Sequence, residues 1–208
     1  MTRPEAVVFD IGNVLVHWDP EGFYDRRLGE AERRRLFAET GVEEMNAAVD
    51  AGAPFRATVE AHAAAHPAWA DDILCWYHNW IEMAAPRIEG SIALLRALRA
   101  KGVPVLALTN FGIDTFDYAL TRYDFLSEFD RAFVSGRMGV IKPDPEIYRQ
   151  VEVETGIAPG GLIFADDKAE NIAAAAARGW RVHHFTGWQG WAERLVAEGL
   201  LTRAEAGV

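Results

Sequence analysis

Four short stretches of this 208-residue chain carry side chains that could share one reaction. Ala6-Val7-Val8-Phe9 runs into Asp10, and the apolar stretch from Val103 to Thr109 runs into Asn110. Lys142 stands inside Gly139-Val-Ile-Lys-Pro-Asp-Pro145, and Gly161 to Ala165 runs into Asp166-Asp167. Three carboxylates gathered in one place repel one another unless a cation is present, and oxygen ligands with few or no histidines favour magnesium over zinc. An aspartate held beside a metal can attack phosphorus as a nucleophile. A threonine hydroxyl and the backbone at a strand end can hold phosphoryl oxygens, and Lys142, just before a helix start, can set positive charge against the group in transfer. Such a set fits phosphoryl transfer, in which positioning and charge neutralisation do most of the catalytic work. Each part alone is ordinary: a strand-end aspartate, a turn pair, a solvated lysine, a helix cap.

For these side chains to meet, the stretches that carry them must be strands of one sheet. Five segments read as strands: Ala6–Phe9, Val103–Thr109, Arg131–Ser135, Gly161–Ala165 and Trp180–Phe185. Between them lie helical patterns. Ser91–Ala100 is stopped by Gly102, and Pro145–Glu154 follows the N-cap Asp144. Ala169–Arg178 is halted by Gly179, and an amphipathic stretch runs from about Trp188 to Glu198. Strands alternating with helices imply an α/β fold, a doubly wound parallel sheet. With strand order 3-2-1-4-5 and right-handed crossovers, strands 2 and 4 flank strand 1, and Asp10, Thr109 and Asp166-Asp167 share the crevice at the carboxyl ends.

One connection breaks the alternation. Residues 17–86 hold no convincing strand but four helical patterns: Glu30–Glu39, Glu43–Val49, Arg56–Ala65 and Trp69–Met83. That is too long and too patterned for a loop. It reads as a helical module inserted into a Rossmann-like core made of residues 1–16 and 87–208. Its tryptophans and Tyr77 read as the module's own packing, while Trp18 and Phe23, near the hinge, could touch substrate. Cys75, among aromatics, reads as a buried, inert thiol. His62, His66 and His78 lack a tight ligand pattern, and His183-His184 end the fifth strand away from the centre.

Composition narrows the partners. The net charge is −10, half the residues are hydrophobic and there is one cysteine. Such a chain has the makings of an ordinary core and lacks the basic face of a nonspecific nucleic-acid binder. Its charge disfavours an anionic membrane, and a single cysteine excludes an internal disulfide. No stretch approaches the length of a membrane span, no leader is visible, and the expected location is cytoplasmic. An anionic substrate would need local positive charge. Neither the substrate nor the oligomeric state can be read from the chain.

Phe9-Asp10-Ile-Gly-Asn-Val-Leu15, Leu108-Thr109-Asn110, Lys142-Pro143-Asp144-Pro145 and Phe164-Ala-Asp166-Asp167 resemble the four ordered motifs of the haloacid dehalogenase-like hydrolase superfamily. The insertion resembles the helical cap of its first subclass, and the Asp-x-Gly-Asn-Val start resembles its small bacterial sugar-phosphate phosphatases. The resemblance implies a magnesium-dependent phosphatase acting on a small phosphorylated metabolite. Asp10 would be the nucleophile, forming an aspartyl-phosphate, and a metal ligand. Gly12 would offer its carbonyl to Mg2+. Thr109 and Asn110 would hold the phosphate, and Lys142 would neutralise nucleophile and phosphoryl group. Asp167 would bind the metal, Asp166 would help directly or through water, and Asn171 would reach the site from the helix start. One position departs from the pattern: many relatives carry a second aspartate, the general acid and base, where this chain has Gly12. His17 and Asp19 are the nearest ionisable groups. Two other readings remain open: a metal-free 2-haloacid dehalogenase using the same aspartate, and a catalytically weak member that only binds a phosphorylated ligand.

Overall fold

The most apolar strands lie in the middle of the sheet. In the computed structural model, which describes residues 3–208, the strands are β1 (Ala6–Phe9), β2 (Val105–Thr109), β3 (Arg131–Val134), β4 (Leu162–Asp166) and β5 (Arg181–His184). All pairings are parallel, in the order β3-β2-β1-β4-β5. Every residue of β1, β2 and β4 is buried, whereas β3 and β5, at the edges, keep exposed positions. Parallel strands covered on both faces read as continuous apolar runs.

Side-chain alternation divides β1 between two cores. Val7 and Phe9 face one with Val105, Ala107, Ile163 and Ala165, while Ala6 and Val8 face the other with Leu106, Leu108, Leu162 and Phe164. The crossovers are helical, as the order demands. Between β1 and β2 come α1 (Pro20–Leu28), α2 (Glu30–Thr40), α3 (Val42–Asp50), α4 (Phe55–Ala65), α5 (Ala70–Met83) and α6 (Glu89–Ala100). Then follow α7 (Ile113–Leu120) before β3, α8 (Ser135–Met138) and α9 (Pro145–Thr155) before β4, and α10 (Ala169–Ala177) before β5. The chain closes with α11 (Trp188–Ala197) and α12 (Arg203–Ala206). None of these helices, among the described residues, is long and apolar enough to cross a membrane.

Helix α5 buries Ile73, Trp76, Trp80 and Met83, the i, i+3, i+7, i+10 stripe expected of it. Trp76 is the hub, with ring contacts to Trp18, Tyr24 and Phe37 at centroid distances of 6.0–6.2 Å. Trp80 reaches across to Phe111, 5.3 Å away, just beyond β2. Cys75 is buried and its thiol donates to Asn79 Oδ1 at 3.2 Å. Burial pushes that thiol's pKa upward, which leaves it a poor nucleophile.

Several boundaries differ from the sequence-based expectation. Strand β2 opens at Val105 because Pro104 has no N–H to give, although its carbonyl still accepts from Val7 N at 3.0 Å. Strand β4 runs one residue further than expected, so Asp166 lies inside the sheet. Ser135 opens α8 instead of ending β3. Four helices, α1, α7 and the single-turn α8 and α12, were not expected at all.

Candidate active site

Each carboxyl end of the three central strands delivers one part of the site. Asp10 follows β1, held by its N–H to Ala165 O at 2.9 Å. Its Oδ1 accepts from the Ile11 amide at 2.7 Å and pairs with Lys142 Nζ at 2.9 Å. That leaves Oδ2 without a protein donor among the described residues. Asp166 is fully buried and its oxygens are shared: Lys142 Nζ at 2.6 Å, Asn171 Nδ2 at 3.0 Å to both, and the Lys168 amide at 2.8 Å. Asp167 turns toward the cavity and accepts from Asn13 Nδ2 at 2.9 Å.

Lys142 is 3% exposed, so its ammonium has been taken out of water and must be repaid by neighbours. It lies between Asp10 and Asp166 and also donates to Leu108 O at 2.9 Å. Burial alone would lower its pKa, but the two carboxylates outweigh burial and hold it above the ordinary lysine range. Asp10 is pushed up to about 7: burial raises it most, Lys142 pulls it back, and Asp166 and Asp167 raise it again.

These values bear on whether a metal fits. Asp10, Asp166 and Asp167 each offer an oxygen, and those atoms lie within 4.8 Å of one another. One ammonium set against three carboxylates leaves two negative charges unmatched. Oxygen donors without histidine or cysteine, short of positive charge, suit a hard divalent cation such as magnesium. Gly12 lies beside them in the cavity wall.

Not every expected residue points as expected. Thr109, buried at the end of β2, lines the cavity. The Asn110 side chain is spent on Lys142: its Nδ2 donates to the Lys142 carbonyl at 2.9 Å and its Oδ1 accepts the Lys142 N–H at 2.7 Å. This reciprocal pair fixes the backbone that carries the lysine. Asn171 is likewise turned onto Asp166, although it too reaches the cavity wall. Asp19 caps α1 through Gly22 N at 2.8 Å, which removes it from the site, whereas His17 stays at the rim. Trp18 lines the cavity, but Phe23 packs on Tyr24 inside the helical module. Trp76 and Trp80 serve both as module core and as cavity wall, a double role their spacing did not reveal. His184 lies closer than expected: opposite Asp166 in the sheet, its Nε2 is 2.9 Å from the Asp167 carbonyl.

Other polar residues of the cavity wall went unread in the sequence. Asn13 holds a left-handed backbone (φ 55°), which lets it donate to Asp167 while its Oδ1 accepts the Trp18 N–H at 3.0 Å. Asparagine is among the few residues that visit this conformation, so the Gly12-Asn13 pair was the available signal. Lys168 and Asp50 also line the cavity. The cavity holds about 330 Å³, enough for a small metabolite.

A family model described as haloacid dehalogenase-like hydrolase matches residues 4–179. Among curated proteins, the sesquiterpene phosphatase astK of Aspergillus oryzae is 36% identical over 94 residues, covering 45% of this chain and 48% of its own. The chain spans less than half the length of the curated relatives it matches. Among solved structures, the HAD family enzyme BT-2542 of Bacteroides thetaiotaomicron, in complex with magnesium and inorganic phosphate, has a TM-score of 0.63 at 20% identity, over 88% of this chain and 95% of that one. The L-2-haloacid dehalogenase of Xanthobacter autotrophicus reaches 0.62 at 19% identity, over 98% and 86%.

Proposed function

This chain belongs to the haloacid dehalogenase-like hydrolases, and on that premise we propose that it is a magnesium-dependent phosphatase acting on a small phosphorylated metabolite. The observation that carries this reading is the buried Lys142 bridging Asp10 and Asp166, with Asp167 in reach of the same point. A phosphatase name on a relative and magnesium with phosphate in a structural neighbour support it.

Asp10, Asp167 and the Gly12 carbonyl would hold the metal, with Asp166 behind them; bound there, Mg2+ would screen the carboxylates from the incoming phosphate. Asp10 Oδ2, free of protein donors, would attack phosphorus and form an aspartyl-phosphate. Lys142 would spread the charge of Asp10 and of the transferring group in a site where water is scarce. Asp166 would hold the ammonium in place, and Asn110 would hold the lysine's backbone. Thr109 would bind phosphoryl oxygens. Residues 17–86 would form a cap over the core of residues 1–16 and 87–208, excluding water and selecting the leaving group through Trp18, Trp76 and Trp80.

A 2-haloacid dehalogenase is the second reading, favoured by Gly12 and by the Xanthobacter neighbour. It has no use for three crowded carboxylates. The deciding assay is hydrolysis of p-nitrophenyl phosphate: activity is expected with magnesium, to vanish with chelator and to return when magnesium is restored. Release of halide from 2-chloropropionate with no phosphate release would reverse the choice. Asp167→Ala should raise the magnesium concentration for half-maximal rate by about 100-fold or more, since even outer-shell losses cost 10- to 100-fold. An unchanged requirement would remove Asp167 from the metal's ligands.

A further inference from the structure

We propose that Asp50, at the end of α3, is the proton donor to the leaving oxygen and the base that activates water in the second step. The inference rests on the phosphatase reading. With Gly12 two residues after Asp10, the position from which many relatives supply the acid and base carries no side chain. The other ionisable groups of the cavity wall outside the metal and phosphate set are His17, Glu43, Lys168 and Asp50. His17, Glu43 and Lys168 are exposed, whereas Asp50 is drawn in between the helical module and the loop after β2.

That placement is built. Ser135 Oγ donates to the Asp50 carbonyl at 2.6 Å and accepts the Phe111 N–H at 2.8 Å. One hydroxyl therefore joins the Asp50 backbone to the segment that begins with Thr109. Two residues on, Gly52 has φ +111°, and a Cβ there would come within 2.8 Å of the Gly136 carbonyl. Glycine is what allows the module to seat this closely. On the side chain, Oδ2 accepts from Asn46 Nδ2 at 3.0 Å, and Asn46 Oδ1 in turn accepts from Trp76 Nε1 at 3.3 Å.

The groups facing the carboxyl come from four elements: Asn46 on its own helix, the Gly112 amide after β2, Lys142 before α9, and Lys168 after β4. Burial outweighs Lys168, the amide and Lys142, and pushes Asp50 up to about 7, so it is about half protonated at neutral pH and largely protonated in mildly acidic solution. An acid matched to the working pH is the efficient one.

In the first step the Asp10–phosphorus bond forms and the phosphorus–oxygen bond of the ester breaks. The Asp50 proton passes to the departing oxygen, so a neutral alcohol leaves and Asp50 remains a carboxylate. In the second step water loses a proton to Asp50, its oxygen bonds to phosphorus, and the Asp10–phosphorus bond breaks to release phosphate.

The test compares two esters of the same shape, p-nitrophenyl phosphate, whose leaving group needs no proton, and p-methoxyphenyl phosphate, whose leaving group does. In magnesium, Asp50→Asn should lower kcat/KM by about tenfold or less on the first and by about 10²-fold or more on the second. In the parent protein, the ratio of methoxyphenyl to nitrophenyl kcat/KM should fall above about pH 7, as Asp50 loses its proton, and it should be flat in the variant. His17→Gln should leave the ratio unchanged. Equal losses on both esters with a pH-independent parental ratio would make Asp50 merely structural, and a selective loss in His17→Gln would move the role there. Either outcome overturns the assignment while the phosphatase reading stands. A parent inactive on both esters would sink that reading, and this inference with it.

Discussion

Asp10→Asn is expected to fold and to lose phosphate-ester hydrolysis by at least about 10⁴-fold, the scale seen when a nucleophile that works as part of a unit is removed. Asparagine keeps the shape and can still accept the Ile11 amide, so packing around β1 is preserved. It cannot form an acyl phosphate that breaks down in the ordinary way. The stability consequence has a definite sign. Asp10 is pushed up to about 7 when folded, from an ordinary value of 3.8. Between those values the unfolded chain gives up a proton that the metal-free folded chain retains, so its charge favours unfolding as pH rises through that window. Metal-free Asp10→Asn should therefore be at least as stable as the parent above neutral pH, and magnesium should raise the parent's Tm more than the variant's. Turnover within tenfold of the parent, in protein freed of contaminating parent enzyme, would take the nucleophile role away from Asp10.

Lys142→Met should cost stability as well as activity. The substitution fills similar volume but leaves Asp10 and Asp166 buried without the ammonium that now touches both. Breaking a buried pair on one side costs about 3–5 kcal/mol because the remaining charge is uncompensated. Loss of the charge opposite the transferring group should cost a further factor of about 10²–10³ in kcat. Urea unfolding checks the first part, and the deficit should shrink as pH falls and Asp10 takes up a proton. Lys142→Arg should not rescue, because a planar fork cannot replace a point charge in a site this closed. A Lys142→Met protein as stable as the parent at neutral pH would mean the carboxylates are satisfied by other groups.

Much of this arrangement could be read before any coordinates, for a physical reason. Buried parallel strands announce themselves as apolar runs, and their carboxyl ends are where such sheets place chemistry. The stretches Ala6–Phe9, Val103–Thr109 and Gly161–Ala165 read as such runs, so the meeting of Asp10, Thr109 and Asp166 followed from strand order. What escaped depends on side-chain direction. Asn110 and Asn171 were expected to face phosphate, but their amides satisfy Lys142 and Asp166, and spacing alone does not tell the two apart. Asp50 escaped because its approach to the site comes from how the helical module seats on the core, a long-range matter recorded in Gly52 and Ser135. Helix α1 was legible and overlooked: Asp19-Pro20 carries the same N-cap and first-turn proline as Asp144-Pro145. Helix α7, eight residues with Thr115, Phe116 and Ala119 buried on one face, is too short for its period to stand out in the sequence.

The central claim is that carboxylates from separate strands gather one magnesium ion so that Asp10 can attack phosphorus. Its most direct test is to mix excess enzyme with a phosphate ester and magnesium, quench in acid within one turnover, and locate any phosphoryl group by mass spectrometry of the digested chain. Phosphate on the peptide carrying Asp10, absent when magnesium is withheld, is the expected result. Phosphate on another residue, or complete turnover with Asp10 unmodified at every quench time, would contradict it.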